Sequence, residues 1–274
     1  MFKINDKIEI GNGKLLLLAG PCLAESLEIC LETGLFLREL AGRLGINYVF
    51  KASFDKANRT SHATSRGNGI TEGLEILKTV KEKLNVPIVT DVHESHQIEQ
   101  VLDVVDVLQI PAFLCRQTDL LVAAGKTGKT INIKKGQFMA PEDMKGAVDK
   151  IKSTGNNKVM LTERGTTFGY HNLVVDMRSL KIMSSIGVPV VFDATHSVQL
   201  PGGLGHASGG QREFTELLTL AAVSAGIDAL FLEVHPNPDK ALSDGPNMLD
   251  FKMTEVLLQK VVNLYEFKRK GFKN

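Results

Sequence analysis

The chain has 274 residues, of which 43% are hydrophobic, and its 32 basic residues nearly cancel its 31 acidic ones. This length suits one large domain, because α/β barrels run to about 250 residues without a division. The net charge of +1 gives no global field that favours nucleic acid or an anionic membrane, so we expect neither as a partner. An anionic ligand therefore requires a local cluster of basic side chains.

The amino terminus and the cysteines predict a cytoplasmic protein. Residues 1–14 lack the basic, apolar and small-residue order of a signal peptide, and no apolar run approaches the roughly 18 residues of a membrane span. Cys22, Cys30 and Cys115 are odd in number and form no CxxC pair, which argues against a disulfide framework or a zinc ribbon. A reducing compartment fits this pattern.

Short strand-like runs alternate with longer amphipathic runs along the chain, as they do in repeated βα units. We predict eight strands, at residues 15–20, 48–53, 87–92, 107–110, 130–135, 159–164, 188–194 and 229–234. The intervening helices include 71–84, 211–225 and one that opens at Pro141. Eight such units favour a closed (β/α)8 TIM barrel over an open sheet, whose edges would need cover.

The first fourteen residues precede the first predicted strand. They contain two short runs around Gly11, Asn12 and Gly13, which we interpret as a β-hairpin that caps the bottom of the barrel. The predicted organisation is a single (β/α)8 barrel domain over residues 1–274, with the hairpin at 1–14.

Loops that follow the strands form the active sites of such barrels, so polar residues at strand ends are the first functional candidates. The basic candidates in or after strands two, four, five and six are Lys51, Lys56, Arg59, Arg116, Lys135 and Arg164. Arginine offers phosphate or carboxylate a planar fork and lysine a point charge, so this set favours one or two phosphorylated substrates. The alternative is that each is a solvated surface charge.

A second group of strand-end residues contains possible metal ligands: Cys22, His196, Glu233 and Asp244. Thiolate, imidazole and carboxylate together suit Zn²⁺, Fe²⁺, Mn²⁺ or Co²⁺ better than Ca²⁺ or Mg²⁺. No short ligand motif is present, and each residue has a structural alternative: an inert buried thiol, a loop cap, a lysine partner and a turn residue. The metal site is a hypothesis about the whole cluster.

Two long loops follow predicted strands two and seven. They are FDKANRTSHATSRGNGI at 54–70 and the glycine-rich QLPGGLGHASGG at 199–210. Their lengths favour a functional role, such as approach of the backbone to a ligand or movement as a lid, over the alternative of a plain surface connection.

Eight motifs along the chain form a family pattern. They are AGPCLAES at 19–26, FKASFDKANRTS at 50–61, TDVHE at 90–94, QIPAFLCRQTDLL at 109–121, NIKKGQF at 132–138, LTERGTTFGY at 161–170, FDATHSVQLPGG at 192–203 and HPNPDKALSDGP at 235–246. Together they resemble the 3-deoxy-D-manno-octulosonate 8-phosphate synthases, which are homotetrameric (β/α)8 barrels. The resemblance implies a transferase of lipopolysaccharide biosynthesis that condenses phosphoenolpyruvate with D-arabinose 5-phosphate and water and releases phosphate.

The resemblance implies two sets of substrate-binding residues. Those implied to bind phosphoenolpyruvate are Lys51, Lys56, Ala112, Arg116, Lys135 and Arg164. Those implied to bind arabinose 5-phosphate are Asn58, Arg59 and Thr60, with Arg59 on the phosphate. Many family members have serine at the position of Thr60, and both side chains provide a hydroxyl.

The resemblance also implies a metal-dependent enzyme, because metal-independent members have asparagine at the position of Cys22. The implied ligands of the divalent ion are Cys22, His196, Glu233 and Asp244. Gly245 and Pro246 depart from this pattern, since metal-dependent relatives often replace the pair.

The catalytic residues implied are Cys22, Lys56, Asp91 and His196. In this hypothesis carbon 3 of phosphoenolpyruvate attacks the sugar aldehyde, water adds at carbon 2, and the hemiketal phosphate collapses with C–O cleavage. Lys56 protonates or polarises the aldehyde oxygen, and Asp91 assists the water or the sugar hydroxyls.

Three alternative functions stay open. A 3-deoxy-D-arabino-heptulosonate 7-phosphate synthase takes erythrose 4-phosphate, but that family usually carries a KPRTS-like segment where this chain has KANRT. A metal-dependent hydrolase needs a nucleophilic water but no cluster of phosphate-binding lysines. A non-catalytic phosphosugar-binding barrel would bind the same ligands without turnover.

Overall fold

The computed structural model describes residues 1–58, 66–203 and 209–271, in which eight parallel strands close into a barrel. Strands β1 to β8 are Leu16–Gly20, Asn47–Lys51, Ile88–Asp91, Val107–Ile110, Thr130–Lys134, Val159–Glu163, Val190–Asp193 and Ala229–Glu233. Pairing of β8 with β1 closes the ring. The predicted (β/α)8 TIM barrel is confirmed, and each predicted strand lies within two residues of the observed bounds. The predicted single domain over 1–274 reaches beyond the described ranges and stays a prediction.

Eight helices follow the eight strands. Helices α1 to α8 are Leu27–Leu44, Gly69–Leu84, Gln97–Val101, Thr118–Lys126, Met144–Lys152, Arg178–Ser184, Thr215–Ala225 and Phe251–Lys270. Two of them begin later than predicted, because i to i+3 hydrogen bonds replace the first α-helical turn. Residues 141–143 form such turns before α5, and the 3-10 helix Arg212–Phe214 precedes α7. No described helix is long and apolar enough to cross a membrane.

Strand residues alternate between two apolar layers. Leu17 of β1 and Phe50 of β2 point outward, into the layer beneath the helices. The inward-facing apolar side chains are Leu16, Leu18, Val49, Val89, Val107, Met160, Val191, Ala229 and Phe231. Two residues further along these strands, the inward positions become polar, as at Lys51 and Glu233. The barrel is therefore apolar below and polar at its carboxyl end.

The hairpin predicted at the bottom of the barrel is confirmed. Phe2–Lys3 pairs antiparallel with Glu9–Ile10. Ile8 and Ile10 join the apolar cluster inside the barrel. The side-chain amide of Asn47, at the start of β2, donates to the backbone oxygen of Glu9 over 3.2 Å. The hairpin thus covers the amino-terminal ends of the strands.

The turn of this hairpin lies elsewhere than predicted. The Asn5 side chain accepts hydrogen bonds from the backbone N–H groups of Lys7 and Ile8, which folds the chain back at residues 4–8. The prediction around Gly11 and Gly13 was wrong about the turn, because this glycine segment follows the second hairpin strand and leads into β1. The hairpin turn is therefore an Asx turn at Asn5, and the segment with Gly11 and Gly13 does not form it.

Gly73 of α2 packs closely against the loop after β2. An added β carbon would lie 2.7 Å from Phe54 Cβ and 2.9 Å from Phe54 Cα. Gly42 of α1 has nothing among the described residues within 4 Å of an added β carbon. Substitution of each glycine by alanine therefore compares a crowded helical position with an open one.

Gly73→Ala should lower the free energy of unfolding by about 1–3 kcal/mol, because the backbone of Phe54 must move. Gly42→Ala is the matched control and should raise it by up to about 1 kcal/mol, the difference in helix propensity. Urea denaturation of both variants measures these changes. Equal effects in the two variants contradict the close packing of α2 on this loop.

Candidate active site

A cavity opens at the carboxyl end of the barrel, among residues from the ends of seven strands and the loops that follow them. Nine of the predicted site residues line it: Lys51, Lys56, Asn58, Asp91, Ala112, Arg164, His196, Glu233 and Asp244. Cys22, the predicted sulfur ligand, is buried, and its Sγ lies 3.2 Å from Asp244 Oδ2. Arg59 and Thr60 lie outside the described residues, as does the middle of the loop at 199–210.

Glu233 lies at the centre of the charged groups. Its side chain is 1% exposed, and its Oε1 lies 3.6 Å from His196 Nε2, 3.8 Å from Lys56 Nζ and 4.0 Å from Lys51 Nζ. Neither carboxylate oxygen accepts a hydrogen bond from the part of the chain that the structure describes. A buried carboxylate without donors is costly, so these oxygens suit a bound cation.

The four predicted metal ligands converge around Glu233. Donor atoms of Cys22, Glu233 and Asp244 all lie within 4.8 Å of one another, and Cys22 Sγ is 3.2 Å from Asp244 Oδ2. His196 stands outside this group of three, with its Nε2 directed at Glu233. A thiol, an imidazole and two carboxylates fit a tetrahedral Zn²⁺, Fe²⁺, Mn²⁺ or Co²⁺ ion. The chain therefore has a possible metal-binding site.

Burial, and next the charge of Glu233, raise the pKa of the Cys22 thiol well above its ordinary value. The thiol proton is directed at Ser243 Oγ, 3.1 Å away, and at Asp244. A metal ion must replace this proton, because only the thiolate is a ligand. Binding of an ion at Cys22 therefore releases a proton.

Asp193 orients two of the groups that line the cavity. Its Oδ2 accepts from Lys134 Nζ over 2.7 Å and lies 2.8 Å from His196 Nδ1. Burial raises the pKa of Asp193, but the charges of His196 and Lys134 outweigh burial and hold it well below its ordinary value. Nδ1 of His196 therefore donates to Asp193, and this contact turns Nε2 toward Glu233 in the cavity.

A second carboxylate, Asp91, orients Lys51. Ser53 bridges them, since it accepts from Lys51 Nζ over 2.9 Å and donates a short hydrogen bond to Asp91. His93 Nε2 lies 3.0 Å from Asp91 Oδ2. Burial raises the pKa of Asp91, but Lys51 and His93 outweigh burial and keep it well below its usual range. Asp91 is therefore an ionised carboxylate beside a lysine.

The predicted basic residues divide into two groups. Arg164 lines the cavity and donates from its guanidinium to Gln199 Oε1 over 3.0 Å. Lys135 is buried and donates to Thr166 Oγ1 over 3.0 Å, and Arg116 is exposed. Neither Lys135 nor Arg116 lines the cavity formed by the described residues, whereas Lys134 does. Their predicted contacts with phosphoenolpyruvate stay predictions.

Sequence reasoning missed Asp193 and gave Lys134 no role. Strand alternation contains the signal for both. Asn132 of β5 faces the barrel interior, so Lys134 shares its face and Lys135 does not. In β7, Val191 is an interior residue, so Asp193 follows it on the same face.

The loop at 199–210 is anchored where its ends are described. Gln199–Leu200 pairs antiparallel with Gly209–Gly210. Gln199 Nε2 also donates to Asp244 Oδ1 over 3.0 Å. The start of this loop therefore touches both a proposed metal ligand and Arg164.

Comparison with known proteins agrees with these features. Residues 1–267 match the model of the DAHP synthetase I family. Proteins named 2-dehydro-3-deoxyphosphooctonate aldolase are 56% identical in Cyanothece sp., over 95% of this chain and 96% of that one, and 57% identical in Geobacter sp., over 94% of each. The protein of that name from Francisella tularensis subsp. holarctica is 59% identical over 91% of each chain. That name is a synonym for the octulosonate phosphate synthases, so the resemblance is confirmed, and the chain belongs to the DAHP synthetase I family.

Proposed function

We propose that this chain catalyses the condensation of phosphoenolpyruvate with D-arabinose 5-phosphate and water to 3-deoxy-D-manno-octulosonate 8-phosphate and phosphate. The observation that carries the proposal is a cavity in which Lys51, Lys56 and Arg164 stand beside the buried carboxylates Asp91 and Glu233. Such a cavity suits two anionic substrates that must meet. The relatives at 56–59% identity bear the name of this activity.

Lys56 polarises the sugar aldehyde in this proposal. Burial lowers its pKa, but the charges of the neighbouring carboxylates Glu233, Asp91 and Asp244 oppose burial, and its pKa lies above its ordinary value. The ammonium group thus keeps its charge, and it stabilises the alkoxide that develops when carbon 3 of phosphoenolpyruvate attacks the aldehyde. Polarisation therefore takes precedence over proton transfer as the role of Lys56.

Asp91 receives or orients a proton of the water or of a sugar hydroxyl. It is ionised for the reason given above, and it lines the cavity near Lys51. A carboxylate held at low pKa is a weak base, so we assign it mainly an orienting role as a hydrogen-bond acceptor. Lys51 and Arg164 bind the phosphate and carboxylate of phosphoenolpyruvate, and Ala112 lines the wall beside them.

We propose that Cys22, His196, Glu233 and Asp244 hold a divalent ion, Zn²⁺, Fe²⁺, Mn²⁺ or Co²⁺. The unpaired oxygens of Glu233 and the direction of His196 Nε2 toward Glu233 support this assignment. When bound, the ion supplies a Lewis acid that polarises an oxygen of the substrate or of water. Asp193 fixes the ring of His196 so that Nε2 faces the ligand group.

The remaining proposals concern the sugar phosphate and the assembly. Asn58 at the cavity, together with Arg59 and Thr60, binds arabinose 5-phosphate. We propose a cytoplasmic homotetramer, as the family resemblance implies. The free thiols favour a reducing compartment, and the exposed side chains of Phe138 and Tyr170 on loops after β5 and β6 favour association.

Phosphate release separates this function from its nearest rival. With phosphoenolpyruvate present, arabinose 5-phosphate should give a kcat/KM roughly 100-fold above that of erythrose 4-phosphate, because the shorter sugar loses part of the proposed contacts with Asn58, Arg59 and Thr60. Equal or higher kcat/KM with erythrose 4-phosphate contradicts the assignment. Phosphate release from either substrate alone indicates a hydrolase instead.

Removal of the metal tests the ligand assignment. Chelation should lower phosphate release by roughly 100-fold, because a Lewis acid contributes several kcal/mol, and added Co²⁺ or Zn²⁺ should restore it. Cys22→Ala should show the same loss without restoration. Cys30→Ala removes another buried thiol, outside the site, and serves as the matched control. Full activity of the wild-type enzyme after treatment with the chelator contradicts the metal proposal.

A further inference from the structure

A hydrogen-bonded pair joins the loops after β1 and β8, which carry the proposed ligands Cys22 and Asp244. His235, two residues after Glu233, is 3% exposed, and its Nε2 lies 2.7 Å from Oε1 of Glu25, three residues after Cys22. The backbone N–H of Asn237 donates to His235 Nδ1 over 2.9 Å. Since Nδ1 accepts, Nε2 carries the proton and donates it to Glu25. The orientation of the pair is thereby fixed.

Glu25 makes a second contact across the same gap. Its Oε2 accepts from the backbone N–H of Leu242 over 3.2 Å, two residues before Asp244. Asp244 has a φ of 51°, in the left-handed region that residues other than glycine seldom adopt. The Glu25 carboxylate, in the loop after β1, thus contacts the loop after β8 at two points, one near Glu233 and one near Asp244.

Such precision matters because metal–ligand distances tolerate about 0.2 Å of variation. Cys22 lies beyond the end of β1, and Asp244 lies eleven residues beyond the end of β8. Strand pairing fixes Glu233, and a β-bridge to Ser53 holds the backbone of Cys22 against the loop after β2, but neither pairing reaches Asp244. Sites on loops require support from neighbouring groups, and Glu25 is the carboxylate that bridges the two loops.

We propose that Glu25 and His235 are positioning residues that hold the loops after β1 and β8 in register, so that Cys22, Glu233 and Asp244 converge on one ion. This inference rests on the metal site of the proposed function. It assigns the pair no contact with substrate. Loss of the pair leaves each ligand in place in the sequence but lets Cys22 and Asp244 move apart.

The chain offers a matched control for this link. Arg43 of α1 and Glu255 of α8 join the same two βα units on the outside of the barrel, with NH2 of Arg43 2.6 Å from Oε1 of Glu255. Both side chains are more than half exposed. Glu255→Ala thus removes a cross-link between the same units at a distance from the ligand loops.

The test titrates metal-free protein with Co²⁺ against a competing chelator and records the thiolate-to-Co²⁺ charge-transfer absorption. Glu25→Ala and His235→Asn should raise the Kd for Co²⁺ roughly 10- to 100-fold and weaken this absorption. Asparagine retains an acceptor for Asn237 but does not reach Glu25. His235→Gln restores an N–H near Nε2 and should recover most of the affinity, and Glu255→Ala should match the wild type.

A merely structural role predicts a different result. Glu25→Ala would then lower the Tm of the metal-free protein while the Kd and the absorption stay at wild-type values, and this outcome overturns the inference. If Glu25→Ala does not fold, equal Kd values for His235→Asn and His235→Gln overturn it instead. Absence of the absorption in Co²⁺-loaded wild type overturns the metal site as well, which separates failure of the proposed function from failure of this inference alone.

Discussion

The buried carboxylate of Glu233, which has no hydrogen-bond donor among the described residues, is the constraint on which the site depends. It ends β8, the strand whose pairing with β1 closes the barrel. Barrel closure therefore buries this negative charge. Lys51, Lys56 and His196 lie close enough to offset the charge, but none of them donates a hydrogen bond to the carboxylate. Nearby cations lower the cost of burial, but the lone pairs of the carboxylate stay available. A divalent ion satisfies both requirements.

The other buried charges near the cavity occur as pairs or small networks. Asp193 neutralises Lys134, whose Nζ also lies 3.9 Å from the centroid of the Phe231 ring. Asp91 is paired with Lys51 through Ser53. These pairs hold their groups in one arrangement before substrate arrives, so the site pays little reorganisation during reaction. Arg164 retains the most capacity for an incoming anion, because its buried NH1 has no hydrogen-bond partner among the described residues.

Much of this fold follows from the sequence for a simple reason. Each strand is an apolar run covered on both faces, so its position is visible without knowledge of its neighbours. The positions of the hairpin turn and of the first residues of α5 and α7 were harder to predict, because local hydrogen bonds determine them. In the hairpin these are the hydrogen bonds that the Asn5 side chain accepts. Side-chain periodicity also predicts which of two adjacent lysines faces the barrel, and on this criterion Lys134 lines the cavity whereas Lys135 does not. Barrel closure places the loops after β1 and β8 side by side, but the contact of Glu25 with His235 could not be predicted, since it depends on the conformation of both loops.

The proposed site at Glu233 and its neighbours holds a divalent ion. Anomalous diffraction from crystals of the wild-type protein grown with Zn²⁺ tests it directly. We expect one strong peak at the carboxyl end of the barrel, about 2.3 Å from Cys22 Sγ and about 2.0–2.2 Å from an oxygen of Glu233. A peak that lies away from these two atoms, or no peak at this end of the barrel, would contradict it.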